Sequence, residues 1–393
     1  MDIQLANRVQ RIKPSPTLAV TARAAELRAA GHDIIGLGAG EPDFDTPEHI
    51  KAAAIKAIEE GRTKYTPVDG TPEFKKAIQA KFKRENSLDY ELNQILVSCG
   101  AKQSLYNLMT ALLDSGDEVI IPAPYWVSYP DIALLADAVP VVIEAGQDQD
   151  FKITPEQLEG AITDKSKLFI MNSPSNPTGT AYTKAELAAL GDVLKRHPQV
   201  MIVTDDIYEH ILWTEESFVN IVNATPELQD RTIVVNGVSK GYSMTGWRIG
   251  YAAGPAPLIA AMKKIQGQST SNPTSISQAA ATEALNGDQS CIGPMRKAFK
   301  ERHDFVVERL NKMNGVSCKP AQGTFYCFPN VQGAIEKLGL KNDVELAEHL
   351  IQEAGVALVP GSAFGLEGYA RISYATSMEN LQKAMDRLEK AFA

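Results

Sequence analysis

The chain has 393 residues, of which 44% are hydrophobic and 22% charged, and its formal net charge is -9. This length allows one large domain and a smaller one with a sizeable core, and the composition is that of an ordinary globular protein. The acidic balance argues against a nucleic-acid partner, which would require a basic surface.

Membrane, secretory and metal-binding patterns are absent from the sequence. No apolar run approaches the roughly 20 residues of a membrane span, and the N-terminal segment has no apolar core of a secretory signal. The four cysteines are scattered, with neither a CxxC pair nor the spacing of metal ligands. We interpret them as free thiols in a reducing compartment, and we expect a soluble, cytoplasmic protein without a bound metal.

Strand-like apolar runs alternate with helix-like stretches through the middle of the chain. Between the runs, stretches such as 103–113 and 184–196 carry apolar residues at helical spacing. This alternation predicts an α/β fold with a mostly parallel sheet that is covered by helices on both faces. The predicted strands are residues 95–97, 118–121, 167–171, 200–204, 232–235 and 249–252.

The pattern changes after about residue 299. A long helical stretch at 297–314 leads to the segment GTFYCFPN, and a second helical stretch follows at 344–353. The strand-like VALVP and a closing helix at 378–392 complete the chain. These elements predict a smaller α+β domain.

Chemically suggestive side chains follow several of the predicted strands. Ligands of open α/β sheets bind beyond the carboxyl ends of the strands, so we expect these residues to lie near one site. They are Gly100, Ala101, Lys102, Trp126, Asn176, Asp205, Tyr208 and Lys240.

The segment 238–251, VSKGYSMTGWRIGY, follows a buried strand and contains Lys240 and Arg248. A lysine whose pKa is lowered by burial can hold a carbonyl cofactor as a Schiff base, and an arginine can grip phosphate with its planar fork. A nearby lysine and arginine usually mark only a solvated basic edge. The residues Met244, Gly246 and Trp247 behind a buried strand are unusual for such an edge and favour the functional interpretation.

This segment resembles the cofactor-lysine motif of the class I aminotransferases, which are fold type I pyridoxal-phosphate enzymes. The resemblance covers nearly the whole chain, because further family motifs occur in the family order. They are GAGEPDF from Gly38, KYTPVDG from Lys64, SCGAKQ from Ser98, PAPYW from Pro122, NSPSNPTG from Asn172, TDDIYEH from Thr204 and YARISYA from Tyr369.

The resemblance implies a two-domain subunit and a homodimer with shared active sites. The large domain, at residues 46–300, would bind pyridoxal 5′-phosphate, and residues 1–45 and 301–393 would form a discontinuous small domain. Tyr65 would reach the phosphate bound by the partner subunit. Taken alone, Tyr65 would be interpreted as a packing or turn residue.

The resemblance assigns four residues to the aldehyde, the pyridine nitrogen and the phenolic oxygen of the cofactor. Lys240 would hold the cofactor and later act as the general base, while Asp205 would keep the pyridine nitrogen protonated. Tyr208 and Asn176 would contact the phenolic oxygen. An aspartate after a strand is more often a helix cap or turn residue, and Asp206 competes by position. The family spacing Asp-x-x-Tyr selects Asp205.

The cofactor phosphate would bind where a strand leads into a helix. Backbone N–H groups of Gly100, Ala101 and Lys102 and the helix dipole favour an anion there, although many such turns look alike. Arg248 would add positive charge. Ser239 is available for a further contact, since Gly237 replaces a serine found in many relatives.

Trp126 would stack on the cofactor ring, although a tryptophan after a strand is more often simply part of a core. Arg371 would bind the substrate α-carboxylate, with help from Gly40 and Asn176. An arginine inside an apolar strand pattern is costly to bury without an anionic partner, which independently favours this role.

The resemblance is strongest to the bacterial and plant aspartate aminotransferases, a subgroup that includes aspartate/prephenate aminotransferases. In that subgroup, a lysine at the position of Lys102 binds the distal carboxylate, and Thr17 matches an associated pocket residue. Lys13 matches a residue associated with prephenate use. In another subgroup, an arginine of the partner subunit binds the distal carboxylate instead. The corresponding region here, residues 267–274, contains no arginine.

We therefore expect transamination between L-aspartate and 2-oxoglutarate by a ping-pong mechanism through an internal aldimine at Lys240, with possible use of prephenate. The alternatives are an aromatic or alanine-type aminotransferase, a pyridoxal-phosphate-dependent lyase on the same scaffold, and a non-enzymatic pyridoxal-phosphate-binding regulator. A regulator would usually carry a DNA-binding domain, for which this chain has no room.

Overall fold

The computed structural model describes residues 3–393. Within them, strands concentrate in the middle of the chain, as the sequence predicts. The strands are β1 (Ile35–Gly36), β2 (Ile95–Ser98), β3 (Glu118–Ala123), β4 (Val139–Glu144), β5 (Ser166–Asn172), β6 (Met201–Asp205), β7 (Thr232–Gly237), β8 (Gly250–Ala253), β9 (Tyr326–Cys327), β10 (Val356–Ala357), β11 (Val359–Pro360) and β12 (Ala370–Ser373).

Helices precede, separate and follow these strands. They are α1 (Asn7–Arg11), α2 (Pro16–Ala29), α3 (Glu48–Glu59), α4 (Pro72–Asn86), α5 (Ala101–Leu112), α6 (Ser128–Leu135), α7 (Pro155–Ala161), α8 (Lys184–Arg196), α9 (Ile221–Ala224), α10 (Ala256–Gly267), α11 (Ser275–Asn286), α12 (Ile292–Leu310), α13 (Gln332–Lys337), α14 (Asp343–His349) and α15 (Met378–Ala391).

A seven-stranded sheet organises the middle of the chain, in the order β2-β8-β7-β6-β5-β3-β4. Strand β8 runs antiparallel to both of its neighbours, and every other pair is parallel. The predicted α/β fold with a mostly parallel sheet is confirmed. Strand β4 was not predicted; it lies at the sheet edge, and its apolar run is interrupted by Pro140, which is untypical of a buried strand.

The central strands are apolar along their whole length because both faces of the sheet are covered. Along β5, Phe169 and Met171 belong to one core, and Leu168 and Ile170 belong to the core on the opposite face. Side chains alternate between the faces of a strand, so a strand buried on both faces has a continuous apolar run.

A third core lies beneath α12 and α15 and involves the short strands of the last 70 or so residues. Strands β11, β12 and β9 form an antiparallel sheet, and β1 pairs in parallel with β10. The segment VALVP, predicted as one strand, is divided between these two sheets. This pairing brings the N-terminal segment against the C-terminal part of the chain.

Several predicted boundaries differ from the observed elements. Helix α12 begins at Ile292 and ends at Leu310, so it runs through the predicted domain boundary at residue 300. The stretch 344–353 divides into α14 and a π-helical turn, Leu350–Ala354. The proposed division into 46–300 and 1–45 with 301–393 stays a prediction. Among residues 3–393, every helix is too short or too polar to cross a membrane.

Candidate active site

Neighbouring parallel strands bring the predicted chemical groups to one edge of the large sheet. Asp205 is the last residue of β6 and pairs with Asn172, the last residue of β5. Lys240 follows three residues after the end of β7, the strand on the other side of β6. The sheet order therefore fixes these groups beside one another at the carboxyl ends.

Lys240 lies in the site with its ammonium group donating a hydrogen bond to the backbone carbonyl of Gly40. Burial lowers the pKa of Lys240 to about 8. The carboxylate of Glu41 opposes this shift, whereas Arg371 and Arg248 lower the pKa further. The neutral amine is therefore far more accessible near pH 8 than on an ordinary lysine.

Asp205 is buried and held by three groups of the surrounding protein. The hydroxyl of Tyr129 donates a 2.7 Å hydrogen bond to Oδ2, and the backbone N–H of Ile207 lies 3.4 Å from Oδ1. The side chain of Asn172 donates to the backbone carbonyl of Asp205 at 2.8 Å. Burial raises the pKa of Asp205 to about 6, although Tyr129, Ile207 and the charge of Lys240 oppose the shift.

Arg371, in the middle strand of the small antiparallel sheet, is 1% exposed. Its Nη1 donates to Oδ1 of Asn176 at 2.9 Å, and its Nη2 donates to the carbonyl of Gly38 at 2.7 Å. The guanidinium lies 4.4 Å from the ring centroid of Tyr326. Its Nε has no hydrogen-bond partner, and no acidic side chain of residues 3–393 forms an ion pair with it. A buried cation in this state is suited to an anionic ligand.

Tyr208 is buried beside Lys240, whose Nζ lies 5.9 Å from the centre of the tyrosine ring. Its hydroxyl is 3.1 Å from the hydroxyl of Tyr326, which links it to the neighbourhood of Arg371. Burial raises the pKa of Tyr208 well above its ordinary value, so the phenol stays protonated and can donate a hydrogen bond.

Gly100 joins β2 to α5 in a conformation that other residues rarely adopt, with φ of 88°. A Cβ atom at this position would lie 2.4 Å from Nη2 of Arg248. The glycine therefore lets the guanidinium approach the first turn of α5, where the backbone N–H groups of Ala101 and Lys102 begin the helix. Ser239 lines the same cavity as Ala101, Lys102 and Arg248, so N–H, hydroxyl and guanidinium donors that suit an oxyanion are all present there.

Lys102 reaches over the ring of Trp126, with Nζ 4.9 Å from the ring centroid. Burial and the nearby charge of Arg248 lower the pKa of Lys102. No carboxylate of residues 3–393 forms an ion pair with this ammonium group. Thr17, at the start of α2, lines the same cavity.

These groups surround a single cavity of about 430 Å³. Gly100 contributes to it through its contact with Arg248, while Tyr65 and Lys13 are not among its lining residues. Tyr65 is 93% exposed, and Lys13 lies near the carboxylate of Asp131. The predicted residues that line the cavity are Thr17, Gly40, Ala101, Lys102, Trp126, Asn176, Asp205, Tyr208, Ser239, Lys240, Arg248 and Arg371.

Among the lining residues that were not predicted from the sequence, three contact or charge the predicted groups: Glu41, Tyr129 and Tyr326. Glu41 lies inside GAGEPDF, and its position directly after the candidate residue Gly40 was a signal that could have been used. Tyr129 lies in the first turn of α6, three residues after Trp126. Tyr326 lies in GTFYCFPN, where nothing in the local pattern indicates a contact with Arg371.

The comparison with known families decides the identity of this arrangement. The family described as aminotransferase class I and II matches residues 32–388. The chain belongs to this family. It is thus a pyridoxal-phosphate-dependent transferase by family membership, and the predicted fold type is confirmed.

Relatives resemble this aminotransferase along their full length. An aspartate/prephenate aminotransferase of Nitrosomonas europaea is 58% identical and aligns over 98% of this chain and 99% of its own. The crystal structure of an aspartate aminotransferase from Rhizobium meliloti has a TM-score of 0.96 at 49% identity, with 99% of each chain covered. An aspartate aminotransferase of Thermus thermophilus with maleate has a TM-score of 0.94 at 42% identity, covering 99% of this chain and 100% of its own.

The donor set of this aminotransferase fits the cofactor of the family. Pyridoxal phosphate requires an amine, an acid for its ring nitrogen, donors for its phenolic oxygen and donors for its phosphate. The cavity presents Lys240, Asp205 and Tyr208 for the first three needs. The first turn of α5 and the guanidinium of Arg248, which packs against Gly100 where a Cβ atom would clash, suit the phosphate.

Proposed function

We propose that this enzyme transfers the amino group of L-aspartate to 2-oxoglutarate, giving oxaloacetate and L-glutamate. One observation carries the proposal: Arg371 and Lys102, two cations without acidic partners in residues 3–393, line the same cavity as the amine of Lys240. Dicarboxylic amino acids offer two carboxylates for these two cations. The Thermus thermophilus relative was solved with maleate, which is itself a dicarboxylate.

Pyridoxal phosphate would be held by groups that each meet one of its atoms. Lys240 would bind its aldehyde carbon covalently, Asp205 its ring nitrogen, and Tyr208 and Asn176 its phenolic oxygen. Arg248, Ser239 and the N–H groups of Gly100, Ala101 and Lys102 would hold its phosphate, and Trp126 would cover its ring. When bound, the cofactor supplies an electron-withdrawing ring that stabilises negative charge at the substrate Cα.

Lys240 has the properties of the group that moves the proton. Once the substrate amine has taken its place, the Nζ atom is free, and a pKa near 8 leaves a substantial neutral fraction at physiological pH. The neutral Nζ takes the proton from Cα. The resulting ammonium would be stabilised by the charge of Glu41 and would hold the proton until it is returned.

Arg371 orients the substrate for this proton transfer. Its buried guanidinium would bind the α-carboxylate in a bidentate pair, with Gly40 and Asn176 completing the contact. Since Asn176 and Gly38 already hold two of its nitrogens, the guanidinium plane is fixed before the substrate arrives. A preorganised clamp lowers the entropic cost of reaching the reactive geometry.

The amino group leaves the first substrate before the second substrate binds, so the cycle would be ping-pong.

Prephenate is a second amino acceptor to test, because relatives at 58% and 57% identity are named aspartate/prephenate aminotransferases. Lys13, near Asp131 and outside the cavity lining, is the residue whose role in prephenate use we propose to test.

Turnover with a panel of substrates tests the proposal. We expect aspartate and glutamate, each with the matching oxo acid, to be the best substrates, and prephenate to be accepted with either donor. Phenylalanine and alanine serve as the aromatic and small apolar comparisons. A preference for either over aspartate, or formation of ammonia or carbon dioxide in place of transamination, would contradict the proposal.

We also propose a homodimer with shared sites. Tyr65 is 93% exposed, and α3 nearby exposes Ile55 and Ile58 at 57% and 55%. Exposed large apolar side chains near a site are suited to an interface.

The four cysteines, all free within residues 3–393, are compatible with the cytoplasm as the place of action.

Mixed dimers distinguish a site that is shared between two subunits from a site that is formed within a single subunit. Lys240→Ala subunits lack the amine, and Tyr65→Phe subunits would lack one phosphate contact. If Tyr65 acts across the interface, a mixed dimer of these two variants regains one fully intact site with the cofactor affinity of the wild type. If Tyr65 acts within its own subunit, or if the chain stays monomeric, no such site is formed.

A further inference from the structure

A buried polar network, made up of Lys81, Asn86, Glu209, His210 and Asn236, lies beside the Lys240 loop but outside the cavity. Lys81 on α4 is 0% exposed, and its ammonium donates hydrogen bonds to Glu209 and, at 2.6 Å, to Asn86. Glu209 also accepts from the amides of Asn86 at 2.8 Å and Asn236 at 2.7 Å. A charged pair removed from water in this way is rarely a net gain over apolar residues.

This network is not a vacant metal site. Ligand atoms of Glu85, Glu209 and His210 lie within 4.8 Å of one another, which is the spacing of a possible cation site. Lys81 Nζ already binds Glu209 and stands 3.6 Å from Glu85. Burial would raise the pKa of Glu209, but the charges of Lys81 and His210 and the hydrogen bonds hold it below its ordinary value. The ammonium group of Lys81 therefore already lies against both carboxylates, where a metal cation would have to bind.

The network contacts the Lys240 loop from both ends. On the N-terminal side, Nδ2 of Asn236 donates a 2.7 Å hydrogen bond to Glu209, and Oδ1 of Asn236 accepts a 2.7 Å hydrogen bond from the N–H of Gly237. On the C-terminal side, the ring of His210 fills the space beside Gly241. A Cβ atom on Gly241 would lie 2.6 Å from Nδ1 of His210.

We propose that the Lys81–Glu209 ion pair positions Lys240 by holding the backbone before and after it. Glu209 and His210 are consecutive residues, so one segment anchors both Asn236 and Gly241. The pair does not touch the cavity and acts only through these neighbours. This inference rests on the proposed role of Lys240 as the residue that holds the cofactor and moves the proton.

Two substitutions separate positioning from simple stabilisation. Glu209→Gln removes the charge at the centre of the network, and Asn236→Ala leaves the ion pair intact but removes its link to Gly237. The matched control is Glu186→Gln, because Glu186 pairs with Lys152 at 2.9 Å on α8, away from the site. Each variant is measured as the holoenzyme for its melting temperature, kinetics and visible spectrum, and for hydrogen exchange of the segment 237–241.

We expect both network variants to exchange faster at 237–241 and to show a shifted pH midpoint in the visible spectrum of the bound cofactor. Their kcat should fall about 10-fold or more with little change in KM, because a 1 Å misplacement can cost about 100-fold. The control should show none of these changes, whatever its melting temperature.

One outcome would contradict the proposal that the ion pair positions Lys240. If the network variants melt earlier but keep wild-type exchange at 237–241 and a wild-type spectrum, the pair serves stability alone and the proposal is wrong. Should Glu209→Gln not fold, Asn236→Ala decides by the same criteria. A wild-type protein that captures no cofactor would contradict the proposed function instead, while exchange at 237–241 would still test the positioning.

Discussion

Arg371 and Asn176 are joined by a 2.9 Å hydrogen bond from Nη1 to Oδ1, although 195 residues separate them in the chain. The bond connects β12 of the small antiparallel sheet to the segment that follows β5 of the large sheet. A group proposed for the substrate carboxylate is thereby held by a group proposed for the cofactor. If these proposed roles hold, substrate recognition and cofactor geometry are coupled through this one contact.

Replacing Arg371 by lysine keeps the charge but removes the planar fork. We expect KM for both the amino acid and the oxo acid to rise about 10- to 100-fold, because hydrogen bonds to charged groups contribute about 1.5–3 kcal/mol. Steady-state kinetics with both substrates measures this. Arg309→Lys, which alters an exposed pair with Asp386, is the control. An unchanged KM for either substrate would rule out a role in carboxylate binding.

Tyr129 offers a test of how Asp205 keeps its charge. The tyrosine hydroxyl donates to the carboxylate and stabilises the anion, so Tyr129→Phe should raise the pKa of Asp205 above about 6. More of the carboxyl is then neutral near pH 6, where it cannot pair with a protonated ring nitrogen. For a rise of about one pKa unit, we expect cofactor affinity to fall about 5-fold near pH 6 and to approach the wild-type value near pH 9.

Equilibrium dialysis of pyridoxal phosphate between pH 5.5 and 9 measures this dependence. Tyr125→Phe, a half-buried tyrosine from the same segment, is the control. A loss of affinity that is equal at every pH would mean that Tyr129 acts by packing and not through the charge of Asp205.

The large sheet was predictable because its physical signals are local. Helix α8 matches its predicted range, Lys184–Arg196, because Thr183 and Glu186 form a capping box in front of an amphipathic run. The buried strands β6 and β7 are continuous apolar runs that end at recognisable polar residues. Strand β8 was predicted as a strand, but its antiparallel direction depends on the path of the chain and leaves no local signal.

The site was predictable where a family motif exists and was missed where packing alone forms the contact. Tyr129 reaches Asp205 across 76 residues of sequence, and its spacing from Trp126 shows only that both lie near the start of α6. Tyr326 belongs to a two-residue strand, and strands this short are defined by their partners. Such contacts arise from the tertiary fold, which a single sequence does not display.

The pKa of Lys240 gives a pH prediction of its own. Only the neutral amine attacks an aldehyde, so the rate at which the cofactor-free enzyme captures pyridoxal phosphate should rise with pH through a midpoint of about 8. Glu41→Gln should move this midpoint lower, because the carboxylate of Glu41 raises the pKa of the lysine. Absorbance of the covalent product follows the rate, and Lys240→Ala should give none. A midpoint near 10.5 would mean that the amine is not perturbed.

Lys102 determines which substrates the enzyme prefers, if its ammonium binds the distal carboxylate. Positive charge in the first turn of a helix is unfavourable, so Lys102→Met should not weaken α5, and the backbone N–H proposed for the phosphate is retained. We expect kcat/KM for aspartate and glutamate to fall about 10- to 100-fold, from the roughly 1.5–3 kcal/mol of a charged hydrogen bond, while alanine is unaffected. Lys83→Met, on the surface of α4, is the matched control. If aspartate and alanine lost the same factor, the lysine would serve the cofactor and not the distal carboxylate, because only a contact absent from alanine can separate the two substrates.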